Sequence, residues 1–239
     1  MVYPSVLFTA LLAGTVQGVT GFGGGIITML IFPCFFSIPL GAGITGSLGI
    51  ALCASMVIRY RKEVNVRMAV LPALLYITVS TVVISYSMSV DQITIKKAFG
   101  GFLVLLSVYY LFISKNVQNR KLGVAVSIFC IAVSAACDAL FGIGGPLMVL
   151  YFMSMTRSTH EYLGTMQLFF WVNSMYNTAF RFYKGILLPE HLVFIAFGVV
   201  GILIGGAIAG RIVDKLNVLT MRKLIYVMIG ISGVLNLIS

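Results

Sequence analysis

The chain has 239 residues, 60% of them hydrophobic and only 9% charged, with a formal net charge of +10. A water-soluble domain of that length needs far more charge to cover its surface, so this composition, with a mean hydropathy of +1.07, excludes one. The basic excess is no nucleic-acid signal either, because nearly every Lys and Arg sits in a short loop between apolar segments, where basic residues set topology.

In chain order, the first apolar window covers 2–20. It lacks a basic region followed by a cleavage site, so a retained span is expected there. It runs into QGVTGFGGGIITML (17–30), which puts Gly21, Gly23, Gly24 and Gly25 into five positions. A short apolar piece at 25–36 follows, then pieces at 42–58, 68–88 and 96–114, and a polar stretch from Lys115 to Lys121. The second half repeats the plan at 122–140, 146–155, 162–180, 190–210 and 222–238. The long windows suit a hydrocarbon core about 30 Å thick. The prediction is an all-α polytopic membrane protein, with one repeat in 1–119 and another in 120–239 forming a single membrane domain.

The repeat is explicit. An offset of 121 aligns Gly21, Gly23 and Gly24 with Gly142, Gly144 and Gly145 of DALFGIGGPLMVL, and Gln17 with Asp138. TIKKAFGGFLVLL from Thr94 aligns with TMRKLIYVMIGI from Thr220 at an offset of 126. If each glycine break lay within one crossing, the halves would be parallel and the sixteen basic residues would divide nine inside to seven outside. If each break is the tip of a hairpin, the halves are inverted. Only Lys96, Lys97, Arg181 and Lys184 then face out, leaving twelve inside. The positive-inside rule prefers the second arrangement, with both termini outside.

Glycine is a poor helix former, so the breaks call for a reason. The pieces at 25–36 and 146–155 are too short to span comfortably, and backbone leaving helical geometry at that depth must be buried in protein or line a cavity. Glycine permits the turn and a close approach of other atoms. Pro146 suits the first position of a new helix. A helix starting there directs free N–H groups and its positive dipole end into the turn, which favours an anion. Paired interrupted segments in two halves point to a transporter's substrate site. Helix packing is the plainer explanation for Gly14-x-x-x-Gly18, Gly201-x-x-x-Gly205 and Gly206-x-x-x-Gly210.

TGFGGG after a first apolar span, FGIGGP half a chain later, and this length and charge layout resemble the TauE/SafE sulfite exporter family, also called TSUP, the toluenesulfonate uptake permease family. The resemblance covers essentially the whole chain. It implies a multi-pass transporter of sulfur-containing anions, namely sulfite, thiosulfate or organosulfonates such as sulfoacetate, in a bacterial or archaeal cytoplasmic membrane. Members differ in substrate and direction.

The candidate substrate-binding residues follow from the breaks. They are Gln17, Thr20, Gly21, Phe22, Gly23, Gly24 and Gly25 at the first, and Gly142, Ile143, Gly144 and Gly145 at the second. Of six acidic residues only Asp138 sits deep, and an intramembrane carboxylate is a functional candidate. Its protonation would favour a nearby anion, which suggests proton-linked transport; the alternative is a hydrogen-bond partner for the broken backbone. Asn173 and Asn177 recur at a helical spacing of four and suit a cavity wall. Arg59 and Arg181, possible charge partners, stand at span ends, where an arginine usually snorkels to the interface. Gln167 and Thr45 are weaker candidates. The four cysteines read as small buried hydrophobes. His160 and His191 have no partners at metal-ligand spacing, so neither metal nor cofactor is expected. The implied partners are a small anion and the lipid bilayer, with no nucleic acid; the pattern sets no oligomeric state.

The function indicated is a secondary transporter. An anion channel could use the same helix starts, and a helix N-terminus distinguishes negative charge better than it distinguishes sulfur from carbon, so a carboxylate carrier stays open. A membrane enzyme is disfavoured, since no nucleophile-base pair, paired carboxylates or metal cluster is present.

Overall fold

The computed structural model describes residues 2–89, 91–109, 111 and 123–212, with isolated positions between 227 and 237. Of the expected piece at 222–238 only those isolated positions are described; the boundary at 119/120 and Lys115 to Lys121 lie outside the described residues. Among those described, every regular element is helical: α1 (Val2–Thr20), α2 (Gly24–Ile31), α3 (Ile38–Arg59), α4 (Val66–Ser87), α5 (Gln92–Val108), α6 (Val124–Phe141), α7 (Gly145–Met155), α8 (Thr159–Tyr183) and α9 (Leu192–Ile212). Short 3-10 turns at Phe32–Cys34 and Pro189–His191 extend α2 and lead into α9.

Local chemistry explains the ends. Pro39 and Pro146 occupy the first turns of α3 and α7, where a missing N–H costs nothing. Asn65 and Ser158 cap α4 and α8, accepting from the N–H groups of Met68 at 3.4 Å and Glu161 at 3.0 Å. Helices α1, α3, α4 and α6, and α9 with its leading turn, are long and apolar enough to cross a membrane. Helix α8 is longer, at 25 residues, but carries Gln167, Asn173, Asn177 and Arg181. All four are buried, so α8 spends its polarity inside the bundle rather than on lipid.

The packing crosses the midpoint of the chain. Helix α1 lies along α9 in the same direction, with Tyr3 stacked on Phe194 at 5.1 Å near their starts and Gly18 against Ala209 near their ends. Small residues make this possible, as the spaced glycines predict. A side chain at Gly14 would strike the Ile202 main chain, and one at Gly201 or Gly205 would strike the carbonyls of Leu7 or Leu11. Helix α4 packs on α6 and on α8, and α3 packs on α8 and on α9. Helices α3 and α8 run antiparallel: Tyr60 just past the end of α3 stacks on His160 at the start of α8, with ring centroids 5.5 Å apart, and Arg181 near the end of α8 reaches Pro39 at the start of α3.

The centre is aromatic. Tyr76, Phe152 and Phe169 are fully buried and meet edge to face, Tyr76 to Phe169 at 5.0 Å and Phe152 to Phe169 at 5.4 Å. The periphery is apolar too. Leu71 and Val124 are 75% and 78% exposed, an arrangement favourable against lipid and unfavourable against water.

Candidate functional site

The first break begins where α1 closes with the Gly21 N–H donating to the Gln17 carbonyl at 2.7 Å. Gly21 and Gly23 then take φ of +80° and +95°, left-handed backbone that residues with a Cβ rarely adopt. The turn frees carbonyls that need donors inside a membrane. Gln167 on α8 donates its amide to the Gly21 carbonyl at 2.6 Å, and the Tyr162 hydroxyl reaches the Thr20 carbonyl at 3.4 Å. The Thr20 hydroxyl sits between the carbonyls of Val16 at 2.9 Å and Phe22 at 2.6 Å. Thr20 is therefore a stitch that closes the turn.

The second break matches the first only in part. Gly142 is left-handed at φ +65°, like Gly21, and its N–H donates to the Asp138 carbonyl at 2.8 Å. Gly144, aligned with Gly23, has φ of −95° and ordinary right-handed geometry. Its carbonyl accepts from the Ser134 hydroxyl. The free carbonyls at the end of α6 face Arg181, which donates to Ala139 at 2.6 Å, to Asp138 at 3.5 Å, and across to Pro39 on α3 at 3.2 Å. A cation at a helix C-terminus is favourable electrostatically.

The two breaks touch. A Cβ at Gly25 would land on the Gly142 carbonyl, and one at Gly145 would sit 2.7 Å from the Cβ of Phe22, itself 1% exposed. Between them lies a cavity of about 60 Å³. Gln17, Phe22, Gly23, Gly24 and Gly25 form one side, and Asp138, Gly142, Ile143, Gly144 and Gly145 the other. Ile26 and Thr28 on α2, Thr45, Gly46, Gly49 and Cys53 on α3, Pro146 on α7, Phe170 and Ser174 on α8, and Ile202 on α9 complete the wall. Gln17 donates to Gln167 Oε1 at 3.3 Å and lies 3.5 Å from the Cys53 sulfur, and Thr45 donates to Thr28 at 2.8 Å.

The remaining candidates sit apart from the wall. Thr20 and Gly21 hold the first turn from behind. Asn173 donates to the Phe169 carbonyl at 2.7 Å, and Asn177 donates to the Asp138 carboxylate at 3.0 Å; both are buried beside the site rather than lining it. Arg59 is exposed at the end of α3, where its guanidinium covers Gly210, as a snorkelling arginine should. Arg181 departs from that expectation. It is 2% exposed, because α8 continues past it and the carbonyls of α6 and α3 surround its guanidinium. Sequence reasoning missed Thr28, Ser174, Gly46, Gly49 and Phe170, and Cys53 read as filler. The only signal was a run of small or polar residues within α3 and α8, a pattern that packing also produces.

These features define a class: a multi-pass α-helical membrane protein whose two interrupted segments meet around a small interior cavity. The model of the sulfite exporter TauE/SafE family matches residues 6–235, nearly the whole chain, and the chain belongs to that family of membrane transporters. Searches of the curated proteins and of the solved structures find no significant match.

Proposed function

We propose that the protein is a secondary transporter of a sulfur-containing anion, sulfite, thiosulfate or an organosulfonate such as sulfoacetate, held in the cavity where the two glycine breaks meet and coupled to protons through Asp138. The observation that carries this reading is the contact between the breaks. Segments 121 residues apart in the repeat bring glycine backbone together at Gly25–Gly142 and Phe22–Gly145, around a cavity whose lining holds the amide of Gln17 and the hydroxyls of Thr28, Thr45 and Ser174. Each break opens a helix at the edge of that space, and a helix start, with its free N–H groups and positive dipole end, favours an anion. Close contact suits a carrier that occludes its cargo.

The halves act as inverted repeats in this reading. Its support is the antiparallel pairing of α3 with α8, its counterpart in the repeat, and the exchange by which α1 packs on α9 while α6 packs on α4. The loop at 60–65 then shares the basic, cytoplasmic side with Arg157, and Lys184 faces out. Alternating access follows as one half rocks against the other around the joined breaks.

Counterflow tests the function. Proteoliposomes preloaded with unlabelled thiosulfate or sulfoacetate should take up the labelled anion with saturable kinetics, faster than empty vesicles. Flux that rises linearly with concentration and ignores preloading would replace the carrier with a channel. Exchange confined to carboxylates would withdraw sulfur as the cargo.

A further inference from the structure

Among the described residues, Asp138 and Arg181 are the only charged side chains in the interior of the bundle; the other charges lie at helix ends and loops. Arg181 donates to three carbonyls rather than closing an ion pair, yet it lies near enough to Asp138 for their charges to interact. Together they sum to zero. A monoanion entering beside them would leave a net negative charge in a region where water screens little.

The carboxylate of Asp138 already stands where an anion would. The N–H of Gly144, which caps α7, points at it, and Asn177 donates to it at 3.0 Å. The carbonyl oxygen of Asn177, a residue only 3% exposed, has no donor. Turning that amide over would present the oxygen to a protonated carboxyl, so the neutral form of Asp138 has an acceptor waiting. The other titratable groups turned toward Asp138 are Tyr76 on α4, Cys53 on α3 and Cys137 on its own helix; α7 brings the Gly144 N–H and α5 brings Phe102 against Phe141.

We infer that the site stays electrically neutral in both states: ionised Asp138 balances Arg181 when the cavity is empty, and an entering monoanion takes over that role while Asp138 binds one proton. Anion and proton then cross one for one. No bond breaks except that of the proton, which adds to a carboxylate oxygen on loading and leaves on release. Arg181 is the positioning residue that sets the ratio. This rests on the transport reading above and goes beyond it by fixing the stoichiometry.

Two labelled probes of different charge test it in proteoliposomes, methanesulfonate with one charge and thiosulfate with two. A gradient of one pH unit, acid outside, should accumulate methanesulfonate about tenfold, since one proton per anion transmits the whole gradient. A potassium diffusion potential should leave that accumulation unchanged but alter thiosulfate uptake, which carries one uncompensated charge. Asp138→Asn should bind methanesulfonate, read by thermal shift, with an affinity that no longer varies with pH, and should lose the accumulation. Arg181→Gln should lose uptake and Arg181→Lys restore it with the same ratio. Methanesulfonate driven by potential and not by pH would overturn the inference alone, as would tenfold accumulation by Asp138→Asn. Failure of both probes, and of sulfite and sulfoacetate, to cross at all would overturn the transport reading and this inference with it.

Discussion

Adding one methyl group at Gly145 should pry the two breaks apart. Its Cβ would stand 2.7 Å from the Cβ of Phe22, whereas two carbons rest at about 3.5–4.0 Å, so the segments must separate by roughly 1 Å. Phe22 cannot swing clear, because the clashing atom is attached to its own backbone and its ring is 1% exposed. Overpacking of this kind costs about 1–3 kcal/mol. At about 2–4 °C per kcal/mol for a chain of this size, the melting temperature of Gly145→Ala in detergent should fall by roughly 2–12 °C. Gly46→Ala is the contrasting variant. Its nearest neighbour would be the Thr178 hydroxyl at an ordinary 3.6 Å, so stability should hold while the methyl enters the cavity wall and slows uptake. An unchanged melting temperature for Gly145→Ala, measured by tryptophan fluorescence on heating, would refute the claim that the breaks are in rigid contact.

Other substitutions separate the parts of the argument. Gln167→Leu removes the donor to the Gly21 carbonyl and should cost about 1–3 kcal/mol, seen as a lower melting temperature. Gly185 has φ of +71° with no described neighbour within 4 Å, so Gly185→Ala should cost only the left-handed penalty of about 1–2 kcal/mol, and Gly185→Asn less. Arg59→Gln, at the surface, should stay within about 0.5 kcal/mol of the parent in thermal unfolding. Arg181→Gln should cost about 2 kcal/mol or more in the same assay, because three carbonyls lose a charged donor. In a cysteine-free background, a cysteine at Lys184 should react with an impermeant thiol reagent from outside intact cells and one at Arg61 should not; the reverse pattern would invert the orientation.

Much of the framework could be read from the chain. The window 2–20 is α1 residue for residue, because the apolar run ends where the glycines begin. The pieces at 25–36 and 146–155 correspond to α2 with its 3-10 turn and to α7. Other features depend on what lies across the bundle. The glycine pattern repeats at Gly23 and Gly144, yet their backbones take φ of opposite sign, and nothing in the pattern distinguishes them. Arg181 follows an apolar stretch and so reads as an interface residue. The carbonyls that receive it belong to Pro39 and Ala139, 142 and 42 residues away. Asn177 finds Asp138 over 39 residues in the same manner. Thr28 and Thr45 join only once α2 folds back on α3, so neither stands out before the fold exists.

The central claim, that the joined breaks bind a sulfur anion, is tested most directly by thermal unfolding of the purified protein with sulfite, sulfate, thiosulfate, sulfoacetate and matched carboxylates. At a hundred times its Kd, a ligand of the folded state adds about 2.7 kcal/mol, or roughly 5–11 °C for a chain of this size. Such a rise is expected with at least one sulfur anion, and its loss in Gly46→Ala. A flat response to every sulfur anion, or a rise with the carboxylates alone, would contradict it.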